Sequence, residues 1–447
     1  MRTLVVLMLV LLQGCASSSV FSPYPGQAQA WQSSIWQGQP AAAVPQLEKK
    51  ALGNDGLLYL QEKARVEQLA GQHDASRSSF AEVFTRYENT DAEARLRASG
   101  LAAGTASLLT NDNALPYNGY AYERILAHAF QAFNYLALGD STGAAVEVRR
   151  AALEQRVAEQ RHEKEIAQAE QEAADSQVDL DRYDGHFEGL NAAAAGVTSS
   201  ITNAWTYYFS AAFWEGQGDY NAALVDYKKA ASLAPQIEFI KADIARVSAK
   251  LDRRWRGDSG LVVILHEQGF VPPKREISLP IPTIHGYFAV AFPVYEPVDQ
   301  VPAVPLHAQA ERETVSTEVL VRVNGAAAKA LKDRVPSMLV RQTLRAAAKY
   351  EAQKQANENL GLLGAFTTQI YNLVSERADL RSWLTLPAYG MATRMELPAG
   401  TQVIKLSASG GSASVEVPVR AGGVTLLRVI ETGQFLRTEV YPIQEGQ

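Results

Sequence analysis

The stretch from Ala204 to Pro235, ending AAFWEGQGDYNAALVDYKKAASLAP, restricts the fold of this chain more than any other segment. Small Ala211 and Ala223 allow two helices to approach closely, while Tyr207, Trp214, Tyr227 and Ala230 fill the space beside them. Gly218 and Tyr220 fall in a turn, and Pro235 cannot continue a helix. The segment therefore predicts a helical hairpin with a fixed register.

This pattern resembles the tetratricopeptide repeat, a helix-turn-helix unit of about 34 residues. The same template fits Ile125 to Arg156 through His128, Ala132, Tyr135, Gly139, Ala144, Val148 and Ala151, and more weakly Leu60, Ala64, Gly71 and Phe80. Gly71 and Gly139 lie 68 residues apart, leaving room for one degenerate unit around Ala92 to Leu109. Gly139 and Gly218 lie 79 apart, so the array is interrupted. Glu154 to Arg182 is rich in Glu, Gln, Ala and Arg, and reads as a polar helical arm held by ionic pairs or bound to a partner. The Gly/Ala/Ser stretch from Gly185 to Ser200 reads as its flexible return. Residues 41–256 are thus expected to form a TPR-like helical repeat domain.

The N-terminus carries a different signal. Met1-Arg2-Thr3 precedes an apolar run from Leu4 to Leu12, then Gln13-Gly14-Cys15-Ala16, with the only cysteine of the chain at the junction. The apolar run is too short to span a bilayer. These residues resemble the lipobox of bacterial lipoproteins. The resemblance implies a signal peptide over residues 1–14, acylation of the Cys15 sulfur, and a further acyl chain on the new N-terminus. The alternative is a cleaved signal beside an accidental cysteine. In the family an acidic residue after the cysteine favours the inner membrane, so Ala16 and Ser17 imply the outer membrane, on its periplasmic face. Residues 15–40, rich in Ser, Pro, Gly and Gln, are expected to form an extended tether.

Composition changes at Arg253-Arg254-Trp255-Arg256-Gly257. Beyond it, Leu261 to Leu265, Tyr287 to Phe292 and Glu318 to Val323 read as strands, with a Pro-rich loop from Pro293 to Pro305. Helices are expected over Ala326 to Asn357 and Leu360 to Glu376. Further strands at 391–397, 403–407, 414–419, 424–431 and 435–441 are divided by Gly and Pro turns, suggesting an antiparallel sandwich. The expected fold is therefore α+β and multidomain: the repeat domain, then a β-rich, sandwich-like domain over 257–447 with a helical insertion over 326–376. The segments YNGYAYERILAHAFQAFNYLALGD at Tyr117 to Asp140, AAVEVRR at Ala144 to Arg150 and ADLRSWLTLPA at Ala378 to Ala388 resemble an uncharacterised family of proteobacterial TPR lipoproteins. That resemblance implies architecture and compartment, and no chemistry.

Catalytic motifs fail their structural contexts. Gly139-Asp140-Ser141-Thr142-Gly143 fits G-x-S-x-G but follows a helix where a nucleophile elbow needs a strand. Gly216-Gln217-Gly218 lacks the third glycine of a dinucleotide site, and neither His162-Glu163 nor His266-Glu267 continues into a zinc helix. Asp179 and Asp181 fit solvated carboxylates. Asp379, Arg381 and Trp383 fit an ion pair and a buried indole bracing a junction better than a specific site. A net charge of −6, or −7 once Arg2 is removed, does not favour nucleic acid. The expectation is a non-enzymatic scaffold without cofactor beyond the lipid on Cys15. It would bind envelope proteins through the repeat groove at Trp205, Tyr208 and Glu215. An enzyme acting on envelope polymer, or a glycan-binding sandwich, are the alternatives.

Overall fold

The computed structural model describes residues 22–53, 55–99, 115–175, 179–252, 257–283, 286–311, 313–347 and 377–444. Its helical half is organised by one kind of turn. Helix α3 (Gly56–Leu69) meets α4 (His73–Ser99) at Gly71, α5 (Ala121–Ala137) meets α6 (Ser141–Asp175) at Gly139, and α8 (Ala204–Gly216) meets α9 (Tyr220–Leu233) at Gly218. Each glycine has φ between 75° and 78°, a left-handed conformation that a side chain would strain. In each turn the next residue's N–H returns to a carbonyl five residues back: Gln72 to Glu67, Asp140 to Tyr135 and Asp219 to Trp214, at 2.8–3.0 Å. This closes the helix C-terminus as a Schellman motif. Asp140 and Asp219 then accept from the N–H groups of Gly143 and Ala222, capping the second helix.

The same turn occurs once more, inside the expected tether. Residues Tyr24–Trp36 form helix α1, ending at Gly38 with φ of 76° and a Gln39 N–H to Ser34 carbonyl bond of 2.8 Å. A short 3-10 turn and α2 (Val44–Lys50) follow. Tyr24, Ala28, Trp31 and Ile35 recur at helical spacing and are all buried, so this segment folds into the body and is not extended. Gly38 lies 33 residues before Gly71, which makes α1 and α2 a further hairpin ahead of α3.

The polar arm is the continuation of α6, which runs unbroken for 35 residues from the hairpin turn to Asp175. Its expected flexible return is structured: a 3-10 segment (Asp181–Phe187) and α7 (Glu188–Ala193) bury Phe187, Leu190 and Ala193, with Phe187 edge-on to Phe292 at 6.0 Å. Helix α10 (Glu238–Leu251) ends the helical half.

Strand β1 (Ser259–Gln268) is the middle of a five-stranded sheet ordered β11-β10-β1-β7-β6, with β6 at Glu318–Arg322, β7 at Tyr389–Pro398, β10 at Val424–Thr432 and β11 at Phe435–Ile443. Its run Leu261 to Leu265 is apolar without alternation because both faces are covered. Leu261, Val263 and Leu265 join the core of the helices. Val262 and Ile264 pack on a second sheet, ordered β5-β4-β8-β9, with Ile404, Leu406 and Val417. That sheet comprises β4 (His307–Ala310), β5 (Glu313–Ser316), β8 (Gly400–Ala408) and β9 (Gly411–Val419). A hairpin of β2 (Arg275–Thr283) and β3 (Gly286–Val294) stands apart in pairing. The fold is mixed α+β. The antiparallel sandwich expected from sequence needs correction in two respects: β1 pairs with β10 in parallel, and the outer face of its larger sheet is roofed by helices. Helices and sheet therefore share one core across the composition change at residue 257.

The inserted helices begin as α11 (Val323–Lys332) and continue as helix over residues 335–347. The expected helix from Leu360 to Glu376, the end of the one expected to reach Asn357, and residues 100–109 of the degenerate repeat expected around Ala92 to Leu109 lie outside the described residues.

Helix α8 lies directly on the sheet. A Cβ on Gly216 would stand 2.6 Å from that of Ile443, and one on Gly390 would stand 2.8 Å from the Trp205 indole, so glycine on each side permits the contact. Ala223 is fully buried facing α8. Ala223→Trp should therefore overpack the hairpin at a cost of about 1–3 kcal/mol. A thermal melt checks this, and an unchanged melting temperature would contradict the register.

Candidate functional site

The three residues expected to line a ligand groove do not reach solvent. Trp205, Tyr208 and Glu215 are 1%, 0% and 2% exposed. Trp205 donates its indole N–H to the Met391 carbonyl at 3.1 Å, and the Tyr208 hydroxyl donates to Asp243 at 2.9 Å. Glu215 is held by Arg246 and Lys250 at 2.8 Å each. Burial alone would raise the Glu215 carboxyl, but these cations outweigh it and hold it at about 2. The chain's own sheet and α10 occupy this face, so the groove assignment is corrected.

The structure instead brings together two segments that stand 238 residues apart at their nearest, Tyr117 to Asp140 and Ala378 to Ala388. Glu123 opens α5 and is fully buried. It accepts from the Tyr120 N–H at 3.1 Å, the Tyr117 hydroxyl at 2.5 Å and the Trp383 N–H at 2.9 Å. Beside it, Glu62 of α3 accepts from the Tyr24 hydroxyl at 2.6 Å and the Leu384 N–H at 2.7 Å, and also from Thr385. Burial raises both carboxyls against these hydrogen bonds, Glu62 to about 7. Trp383 is completely buried between Phe80 and Phe130. Arg381 grips Asp379 through two nitrogens at 2.8 and 2.9 Å and reaches Asp55 at 2.7 Å. Its charge holds the Asp379 carboxyl below the usual range despite burial. The cluster thus braces the junction, as its sequence suggested.

One face of this junction opens into a cleft. Buried Lys274 donates to the Tyr120 hydroxyl and the Arg381 carbonyl, both at 2.7 Å, and Tyr120 carries the Arg334 guanidinium 4.3 Å above its ring. Around Tyr120 lie two adjoining cavities of about 420 and 220 Å³. The larger runs between the α6 arm and the inserted helices, with Arg161, Glu165, Ile166, Glu172, Arg334 and Arg341 on its walls. His162 of the arm meets Asp333 across it at 3.1 Å. The sequence marks Tyr117 to Asp140 as distinctive and gives no sign of this cleft beyond the run of aromatic residues between polar ones immediately before a helix.

The remaining motifs have structural partners. Asp140 caps α6, and His266 is buried beside Glu431 at 3.1 Å. Among the described residues no group of His, Cys, Asp or Glu is arranged to hold a metal ion, and no helix is long and apolar enough to cross a membrane. The chain matches no family model, no curated protein and no solved structure.

Proposed function

We propose that this chain is a lipid-anchored adaptor of the bacterial envelope, held through Cys15 at the periplasmic face of the outer membrane. Its hairpins are read as tetratricopeptide-like units, and its partner is a polypeptide segment bound in the cleft around Tyr120. The observation that carries this reading is the lining of that cleft. Exposed cations Arg161 and Arg334 alternate with exposed Glu165 and Glu172 around partly buried Ile166 and buried Ala169. A surface with both charge signs and an apolar floor suits a polypeptide, which offers the same mixture. The role is adaptor rather than catalyst, because the buried carboxyls Glu62 and Glu123 are committed to hydrogen bonds within the junction.

A photo-crosslinking amino acid at Gln168 or Ser337 should capture a protein in living cells, while the same group at exposed Val225 of α9 should not. Arg161→Glu combined with Arg334→Glu should remove the adduct, with a cooperative thermal melt showing that the chain still folds. Capture of peptidoglycan or polysaccharide from both cleft positions, or retention of such a polymer by purified protein, would replace the adaptor reading with one of polymer binding.

A further inference from the structure

We propose that the α1–α2 end of the molecule docks on the bilayer itself, with Leu52 inserted among the lipids and Lys49 and Lys50 facing anionic headgroups. The proposal rests on lipidation of Cys15 for its native leash, and on geometry for the face. Helix α1 begins at Tyr24, whose side chain is already buried in the core. Tyr24 lies nine Cα-to-Cα steps after Cys15, and at about 3.5 Å a step the leash reaches at most roughly 30 Å. A globular chain of this length is roughly 55–60 Å across. Such a leash keeps the α1 start close to the membrane and the far side of the body away from it.

The surface at that end has the chemistry of a bilayer contact. Leu52, in the turn between α2 and α3, is 86% exposed, the highest value among the exposed large apolar side chains of the described residues. Lys49 and Lys50 precede it, and Arg86 donates to the Ala51 carbonyl at 3.1 Å. A hydrogen-bond chain ties this turn to the chain's entry into the fold. Lys50 donates to the Gln27 side chain at 2.7 Å, and Gln27 donates to the Ser22 carbonyl at 2.6 Å. The other end of α1, about 20 Å away, turns towards the sheet: the Trp36 indole donates to Thr432 at 3.0 Å. An exposed leucine shortly after two lysines, on a protein whose net charge is −6, brings positive charge and apolar surface together where the leash leaves. Buried apolar area and attraction to anionic lipid add together at an interface.

The chain has no cysteine besides Cys15, so an introduced cysteine is the only thiol left free after lipidation. Leu52→Cys carrying an environment-sensitive fluorophore should shift its emission to the blue and resist aqueous iodide. The setting is lipidated protein in vesicles of phosphatidylethanolamine and phosphatidylglycerol. The same label at Val403→Cys on β8 should remain wet, and adding Lys49→Glu should weaken the Leu52 shift. In a parallel arm, a chain starting at residue 16 with a histidine tag in place of Cys15 is held on nickel-chelating vesicles, which supplies the leash independently. A wet Leu52 label in both arms, equal shifts at both positions, or protection that requires a second protein would overturn the proposal. Docking in the tagged arm with no lipid on the native chain would sink the anchor and leave the face standing.

Discussion

Glu267→Ala should lower the free energy of unfolding by about 3–5 kcal/mol, the cost of stranding buried charge. Glu267 faces the helices from β1 and is 1% exposed. It meets Arg65 of α3 and accepts from Arg428 Nε of β10 at 2.6 Å. Both guanidinium groups are buried, and burial lowers Arg65 to about 10 even with its carboxylate present. Each is stacked on an aromatic ring, Arg65 over Phe130 at 4.1 Å and Arg428 over Phe133 at 4.2 Å. Arg428 also reaches Glu439 at 3.1 Å, so it keeps one carboxylate when Glu267 is lost. Arg65 keeps Gln68 at 2.7 Å, a neutral acceptor that does not compensate its charge. Urea denaturation should show a lower midpoint with an unchanged slope. The double variant Arg65→Met/Glu267→Met removes a charge of each sign together and should recover much of the loss. A single-variant cost below about 1 kcal/mol, the level of a solvated pair, would mean that water reaches this site.

That network also marks where sequence reading loses sight of the molecule. The hairpin at Ala204 to Pro235 was legible because its packing is local: Ala211 and Ala223 are both fully buried in one core, on helices joined by a turn at Gly218. Two strand pairs after Met391 were legible for the same reason, since β8 with β9 and β10 with β11 are consecutive antiparallel partners joined by short glycine-containing turns, whereas the turns at 398–400 and 422–423 pass the chain from one sheet to the other. By contrast, β1 lies parallel to β10, pairing Leu261 with Val424 across more than a third of the chain, and nothing in either segment states that register. The covering of α8 left a trace that went unused. Ala204 to Gly216 is apolar on nearly every side, and a helix of that kind is normally buried all round. Trp205 and Tyr208 therefore reported a neighbouring sheet rather than a ligand. Helix α1 was hidden differently. Tyr24, Ala28, Trp31 and Ile35 have helical spacing, but Ser, Gln, Pro and Gly between them give the segment the composition of a tether. At the candidate site, the distinctive segments at 117–140 and 378–388 were visible separately. Their meeting depends on the whole core, and so does the cleft beside them.

Glu62→Gln should make stability nearly independent of pH at this position, whereas the native chain loses about 3 kcal/mol there as pH rises through 7. The carboxyl is fully buried, and desolvation raises it from 4.5 to about 7 against the hydrogen bonds of Thr385, Tyr24 and Leu384. At about 1.36 kcal/mol per unit, that difference gives the magnitude. The sign follows from proton binding. Between pH 4.5 and 7 the folded chain holds a proton on Glu62 that the unfolded chain has released, so stability falls with rising pH across this window and levels off above it. Below 4.5 the contribution is fully present. Glu215 acts in the opposite sense: held at about 2, it contributes above its ordinary value and loses that contribution only in acid. It is ionised in both states from pH 5 to 8 and adds no slope there. Glutamine keeps an acceptor for Tyr24 and Leu384 and can donate to Thr385, so the variant tests charge with little change of shape. Urea melts at pH 5, 6.5 and 8 should show the variant gaining on the native chain at each step. Parallel curves for the two chains would mean that Glu62 ionises normally and that solvent reaches the junction of α3 with residues 383–385.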